Sequence, residues 1–94
     1  TVTERSGGVC ERCGVARAVH LHHRLLRRFG DHSVANALHL CVFCHDAVHS
    51  AAGLSYDCGW MIASGVDVDP AAVPVVYRGE SVRLDQGGMI VLLT

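Results

Sequence analysis

The chain has 94 residues, enough for one small domain, and its hydrophobic fraction of 50% excludes intrinsic disorder. The net charge of -1 conceals an asymmetry, because residues 1–50 carry six arginines against four acidic residues and residues 51–94 carry two against five. No uninterrupted apolar run is long enough to span a bilayer. We expect no signal peptide, and we expect a soluble, cytoplasmic protein that does not enter membranes. The arginine-rich first half is compatible with a nucleic-acid partner, since the planar guanidinium suits phosphate.

The first half of the chain predicts the order strand, loop, strand, helix. Residues 18–21 and 37–40 are the two strand candidates. Between them, residues 31–35 predict a single helical turn. Residues 43–52 predict the clearest helix of the chain, because they contain no glycine or proline before Gly53 ends the pattern.

After Gly53 the chain changes to short apolar runs separated by turns. Residues 60–63 predict a strand, and Asp69-Pro70 predicts one turn of helix with an aspartate cap and proline in the first position. Three further runs predict a small antiparallel meander, at residues 73–77, 81–84 and 89–92. No internal repeat or second domain is visible, so we predict a single α+β domain.

Four of the five cysteines form two CxxC pairs separated by 27 residues, Cys10 with Cys13 and Cys41 with Cys44. Two CxxC pairs are the usual ligand set of a tetrahedral structural zinc site. The clustered histidines nearby favour zinc in a reducing compartment over disulfides. A metal staple is also a common remedy in a chain this small. The fifth cysteine, Cys58, is predicted to be a small buried apolar residue.

All seven histidines lie between residues 20 and 49. His45 and His49 are four residues apart on the predicted helix and so project from the same face. His22 and His23 follow the first predicted strand directly. Three imidazoles around one ion leave coordination positions open, which is typical of a catalytic metal site. The other three histidines are interpreted as surface or hydrogen-bonded core residues: His20, His32 and His39.

Together, these residues resemble the signature of the HNH endonucleases. The similarity covers residues 10–49 and lies in His22-His23, Asn36, Cys41-Val42-Phe43-Cys44-His45 and His49. The family has a ββα-metal fold, and many members carry a structural CxxC…CxxC zinc. The resemblance implies one small zinc-stapled ββα-metal domain over residues 1–94, with a zinc-bound core at 10–52 and a C-terminal β extension at 53–94. The meander of this extension is similar to the tails of small phage-encoded members, whereas at Leu26 many members have proline.

The resemblance also implies a role for each residue that carries it. His22 takes a metal-ligand position and His23 takes the position of the general base. Asn36 would brace the loop that holds His23, and His45 and His49 match the metal ligands on the helix. Three arginines directly after the base are predicted either to hold backbone phosphates or to lie on a solvated loop: Arg24, Arg27 and Arg28.

The activity implied is metal-dependent hydrolysis of DNA phosphodiester bonds, by nicking or double-strand cleavage, leaving a 3′-hydroxyl and a 5′-phosphate. The cofactors expected are a structural Zn²⁺ and one catalytic divalent cation, which is Mg²⁺, Mn²⁺, Ni²⁺ or Zn²⁺. The expected partners are DNA and a phage packaging protein such as a terminase. We further expect a monomer, in the host cytoplasm if a phage encodes it.

Two alternatives need only the cysteines and the arginines. One is a non-catalytic zinc-binding module that interacts with DNA or with a protein. The other is a structural zinc-stapled adaptor within a phage packaging machine. Both leave His23 and Asn36 without a function, so the nuclease is the preferred hypothesis.

Overall fold

In the computed structural model, which describes residues 1–25, 33–63 and 68–93, the chain forms helices and two antiparallel sheets, and the predicted α+β class is confirmed. The helices of these ranges are α1 (Val2–Ser6), α2 (Val42–Ser50) and α3 (Ala52–Asp57), with 3₁₀ turns at Val34–Asn36 and Pro70–Ala72. The strands are β1 (His20–His23), β2 (Ala37–Leu40), β3 (Val75–Tyr77), β4 (Glu80–Leu84) and β5 (Ile90–Leu92). In the described ranges no helix has the length and apolarity needed to cross a membrane.

β1 and β2 form a two-stranded antiparallel sheet, and α2 follows β2 directly. The predicted order of strand, strand and helix is therefore confirmed, and β2 has the bounds predicted for it. β1 begins two residues later than predicted, because the N–H of Ala18 donates to the Gly8 carbonyl and not to β2. This bond and a bridge between Val9 and Arg17 form a small hairpin ahead of β1.

The helix predicted over residues 43–52 is in fact two helices. Ala51 separates them with a non-helical backbone (φ −117°, ψ 65°), and Gly53 lies inside α3 instead of ending a helix. The prediction was wrong because the side chain of Ser55, five residues after the end of α2, stabilises that end of the helix. The buried Ser55 hydroxyl lies 2.7 Å from the Val48 carbonyl oxygen, one of the groups that a helix end leaves without a partner.

Residues 60–63 do not form the strand predicted for them. Met61 donates its N–H to the Ser55 carbonyl, and Ile62 donates its N–H to the Arg24 carbonyl. Backbone groups that would pair with a neighbouring strand are thus satisfied by α3 and by the end of β1. In the sequence, a short apolar run looks the same whether it forms a strand or an irregular segment.

The C-terminal meander is confirmed, with β3, β4 and β5 in antiparallel order. Asp69 caps the 3₁₀ turn at Pro70 as predicted, its carboxylate accepting from the Ala71 N–H. The core unites the meander with the first half of the chain, through residues including Leu38, Leu40, Val48, Val75, Val82 and Leu84. The extension therefore completes the hydrophobic core around β2 and α2.

Arg24 directly follows β1 and is fully buried. Its guanidinium donates to four backbone carbonyls, at distances of 2.7 to 3.1 Å: those of Gly59, Ala35, Pro70 and Val73. Burial lowers the pKa of Arg24 to about 10, so the group stays charged at neutral pH. A buried guanidinium held by carbonyls cannot reach a phosphate, and the predicted nucleic-acid-binding role of Arg24 is therefore wrong. Arg27 and Arg28 lie outside the described residues.

Arg24→Ala is expected to lower the free energy of unfolding by about 3–5 kcal/mol, because it leaves three buried carbonyls and one partly buried carbonyl without a donor. Urea unfolding followed by circular dichroism, at a fixed zinc concentration, measures the change. Arg83→Ala is the matched control, since Arg83 is exposed on β4 and should change stability by no more than about 0.5 kcal/mol. Equal effects of the two substitutions would contradict a structural role for Arg24.

Candidate functional site

The two CxxC pairs meet in one cluster. The sulfur atoms of Cys10, Cys13, Cys41 and Cys44 all lie within 4.8 Å of one another. Four thiolates bound at ~2.3 Å to one tetrahedral ion are about 3.8 Å apart, so the cluster has the dimensions of such a site. Three of the cysteines are buried and Cys13 is exposed. The four side chains are thus positioned to hold a structural metal such as zinc, as their spacing predicted.

Backbone amides point at these sulfur atoms. The N–H groups of Arg12 and Cys13 donate to Cys10 Sγ at 3.4 and 3.5 Å, and the N–H of Cys44 donates to Cys41 Sγ at 3.4 Å. Cys41 is at the same time the N-cap of α2. The cluster therefore lies at a helix N-terminus, where the helix dipole favours the negative charge of thiolates.

A buried ion pair fixes the first CxxC pair against β2. Arg5 Nε lies 2.7 Å from a Glu11 carboxylate oxygen, and the two side chains are 1% and 0% exposed. Arg5 also donates to the carbonyls of Val34 and Ala37, while Glu11 accepts from the His39 N–H. These bonds hold the segment that carries Cys10 next to the strand that leads to Cys41.

The thiols of the cluster differ in acidity. Backbone hydrogen bonds from Ala16 and Val15 lower the pKa of Cys13 to about 6, so this exposed thiol is ionised at neutral pH. Burial raises the pKa of Cys44 to about 12. A coordinated thiol is nevertheless deprotonated, so metal binding releases protons here and weakens as the pH falls.

A second cluster joins β1 to α2. His22, His45 and His49 each bring a ring nitrogen to within 4.8 Å of the others, and the Nε2 atoms of His45 and His49 are 3.2 Å apart. Two imidazole nitrogens bound at ~2.1 Å to one tetrahedral ion are about 3.4 Å apart, which is close to this spacing. His22 is buried and His49 is exposed, so the cluster is open to solvent on one side.

His22 is fixed in orientation and in tautomer. Its ring Nε2 lies 2.7 Å from the Trp60 carbonyl oxygen. Because a carbonyl oxygen only accepts, the proton lies on Nε2 and the lone pair lies on Nδ1. Burial lowers the pKa of His22 to about 4, so its imidazole is neutral at neutral pH. The neutral ring is the form that binds a metal ion.

His23 ends β1 and is half-buried, opposite Ala37. It is not one of the three histidines that converge, in keeping with the alternation of side chains along a strand. Asn36 is fully buried, with Oδ1 accepting from the Leu25 N–H at 2.7 Å and Nδ2 donating to the Leu25 carbonyl at 3.1 Å. Asn36 thus clamps the backbone two residues beyond His23.

His20, interpreted as a surface or hydrogen-bonded core residue, lies on the surface beside the histidine cluster. The exposed ring of His20 lies with its centroid 4.9 Å from that of His45. His20 and His22 are two residues apart on one strand and so lie on the same face, which could have predicted that His20 is close to the cluster. His39 bonds instead to the Ser6 hydroxyl, at 2.8 Å. His32 lies outside the described residues.

Two further residues touch the clusters without any signal in the sequence. Trp60 accepts from His22, 38 positions away. Arg12 Nη1 donates to Cys44 Sγ at 3.3 Å, across 32 positions, and its guanidinium lies 4.2 Å from the centre of the Trp60 ring. Local spacing carries no information about contacts of this range.

Comparison with family models, with curated proteins and with solved structures finds no match for the chain. Function is therefore inferred from the geometry of the two clusters and from the residues that hold them.

The purified protein is expected to hold about one zinc ion per chain at the cysteines. Cys41→Ala should lose this zinc and lower the melting temperature by more than about 10 °C, because a structural zinc ion contributes folding free energy directly. Cys58→Ala is the matched control, since Cys58 is half-buried and packs against the core outside the cluster. Elemental analysis and thermal unfolding measure both effects. A zinc-free Cys41→Ala protein with wild-type stability would show that the cluster has no structural role.

Proposed function

We propose that the protein is a metal-dependent HNH endonuclease that hydrolyses DNA phosphodiester bonds. The observation that carries the proposal is the convergence of His22, His45 and His49 on a strand and the helix packed against it. His23 follows His22 directly, and Asn36 clamps the backbone that comes after it. The cysteine cluster supports the proposal, because it fixes the start of α2 immediately before His45.

The donor atoms of the histidine cluster fit a catalytic divalent ion. Three protein nitrogens with an open side are the pattern of catalytic sites, which keep positions free for water and substrate. An ion held by these three histidines would polarise the phosphate and stabilise the leaving oxygen. Nitrogen donors suit Zn²⁺ and Ni²⁺ better than Mg²⁺, which prefers oxygen. We therefore rank Ni²⁺ and Zn²⁺ above Mn²⁺ and Mg²⁺ as the catalytic ion.

His23 is the proposed general base. A neutral imidazole nitrogen takes a proton from water as the water oxygen bonds to phosphorus, and the bond from phosphorus to the 3′ oxygen breaks in line. The 3′ oxygen takes a proton from solvent water and leaves as a hydroxyl, the phosphate stays on the 5′ side, and His23 returns its proton to solvent. Asn36 supports this step by holding the backbone after β1, which keeps His23 oriented toward the reacting water. Correct orientation of a catalytic group speeds such a reaction.

We assign the DNA contacts to the arginine-rich first half of the chain. Of the three arginines predicted to hold backbone phosphates, Arg24 is excluded because it is buried. Arg27 and Arg28 are therefore the candidates for these contacts. Arg17 is exposed in the hairpin ahead of β1 and adds a further positive side chain in the described part of the chain. A terminase-like packaging partner, a monomeric state and a cytoplasmic location are proposed on the family resemblance alone.

After chelation and resupply of one divalent metal at a time, the protein is expected to nick supercoiled plasmid DNA. His23→Ala should lower the nicking rate by ~100- to 10,000-fold while the catalytic metal still binds, because His23 acts as a base and not as a ligand. His49→Ala should lose both the affinity for that metal and the activity. Calorimetric metal titration and a plasmid nicking assay measure the two properties in parallel.

His39→Gln serves as the control for a general effect of losing an imidazole, since His39 bonds to Ser6 away from the cluster. It should nick at the wild-type rate. Wild-type protein that binds plasmid and never nicks it with any metal would favour the non-catalytic zinc module. Wild-type nicking by His23→Ala would contradict the assignment of the base.

A further inference from the structure

The two clusters are connected by a continuous chain of contacts that does not follow the backbone. At one end Arg12 Nη1 donates to Cys44 Sγ at 3.3 Å. The same guanidinium lies 4.2 Å from the centre of the Trp60 ring, within the range of a cation–π contact. At the other end the Trp60 carbonyl accepts from His22 Nε2 at 2.7 Å. Two residues, Arg12 and Trp60, therefore span the distance between a cysteine sulfur and a histidine of the second cluster.

Arg12 depends on both of its neighbours. Its Nε is buried and has no hydrogen-bond partner among the described residues, so the guanidinium is held by the Cys44 sulfur and the Trp60 ring. A metal ion bound by the four cysteines would hold the Cys44 sulfur in one position, because a tetrahedral site fixes the positions of its ligands. An occupied cysteine cluster therefore fixes the Arg12 guanidinium more firmly than an empty one.

Trp60 is clamped on two sides. Arg12 covers the face of its ring, and its indole N–H donates to the Val76 carbonyl at 2.7 Å. The side chain is buried, which leaves the ring little room to move. A fixed ring in turn fixes the Trp60 peptide, whose carbonyl sets the orientation and the tautomer of His22.

We propose that Arg12 and Trp60 couple the two clusters, so that metal bound by the cysteines raises the affinity of the three histidines for their own ion. Trp60 is a positioning residue in this scheme, acting through His22. By reciprocity, an ion at the histidines also tightens metal binding at the cysteines. The inference rests on the metal ion of the proposed function but not on nuclease activity.

A competing route runs through α2, since Cys44 and His45 are neighbours on that helix. Arg12→Gln separates the two routes, because it removes the cation from the Trp60 ring and leaves the helix and all seven metal-binding side chains in place. Trp60→Phe is the second variant, since it keeps an aromatic face for Arg12 but loses the indole bond to Val76. Arg83→Gln is the matched control, an exposed arginine of β4.

The test uses the full chain with zinc at the cysteines and Co²⁺ titrated into the histidine cluster. Arg12→Gln and Trp60→Phe are each expected to bind Co²⁺ roughly 10- to 100-fold more weakly, which is typical when the support of a ligating histidine is disturbed by mutation. Arg83→Gln should bind Co²⁺ as the wild type does. Nitrogen-15 NMR of His22, recorded with zinc at the cysteines and no Co²⁺, should show the Nε2–H tautomer in the wild type and a mixture in both variants.

The outcomes separate this inference from the proposed function. Wild-type Co²⁺ affinity in both Arg12→Gln and Trp60→Phe, with zinc still at the cysteines, overturns the coupling and leaves the nuclease proposal intact. Absence of Co²⁺ binding in the wild type overturns both. If Arg12→Gln fails to fold, a wild-type His22 tautomer and Co²⁺ affinity in Trp60→Phe overturn the coupling.

Discussion

The fold depends most on the burial of a single cation, the guanidinium of Arg24. A charge removed from water is tolerated only where hydrogen bonds replace its hydration. Here the replacement comes from backbone carbonyls in the turn before β2, in the segment after α3 and around the second 3₁₀ turn. Those segments are distant in the chain and have to meet around one side chain. β1, with His22 near its end, is thereby fixed to the C-terminal half.

α2 gives the two clusters a common frame. Cys41 caps the helix, Cys44 lies in its first turn, and His45 and His49 follow on the same element. A helix is stiff over two turns, so the position of the sulfur atoms also determines where the two imidazoles lie. The C-terminal extension supplies what the helix cannot, because the Trp60 carbonyl orients the third histidine. The extension is thus part of the histidine site and not an appendage to it.

The sequence patterns predicted correctly those elements that are determined by residues close to one another in the chain. The bounds of β2, the cap at Asp69 and the antiparallel meander follow from strand runs and turn residues that act over a few positions. The division of α2 from α3 and the irregular segment at 60–63 were missed. In both, a backbone group is satisfied by a partner outside its own element, such as the Ser55 hydroxyl or the Arg24 carbonyl.

By itself, the sequence determined which side chains are able to bind metal. The CxxC spacing brings two sulfur atoms together once the segment forms a knuckle. The separation of four residues puts His45 and His49 on one face once the segment forms a helix. Only the tertiary structure decided that His22 joins the helix pair, that Arg24 is internal and that the Trp60 carbonyl meets His22. The contacts responsible link residues 11 to 49 positions apart, and a pattern with a period of two or four residues contains no information about them.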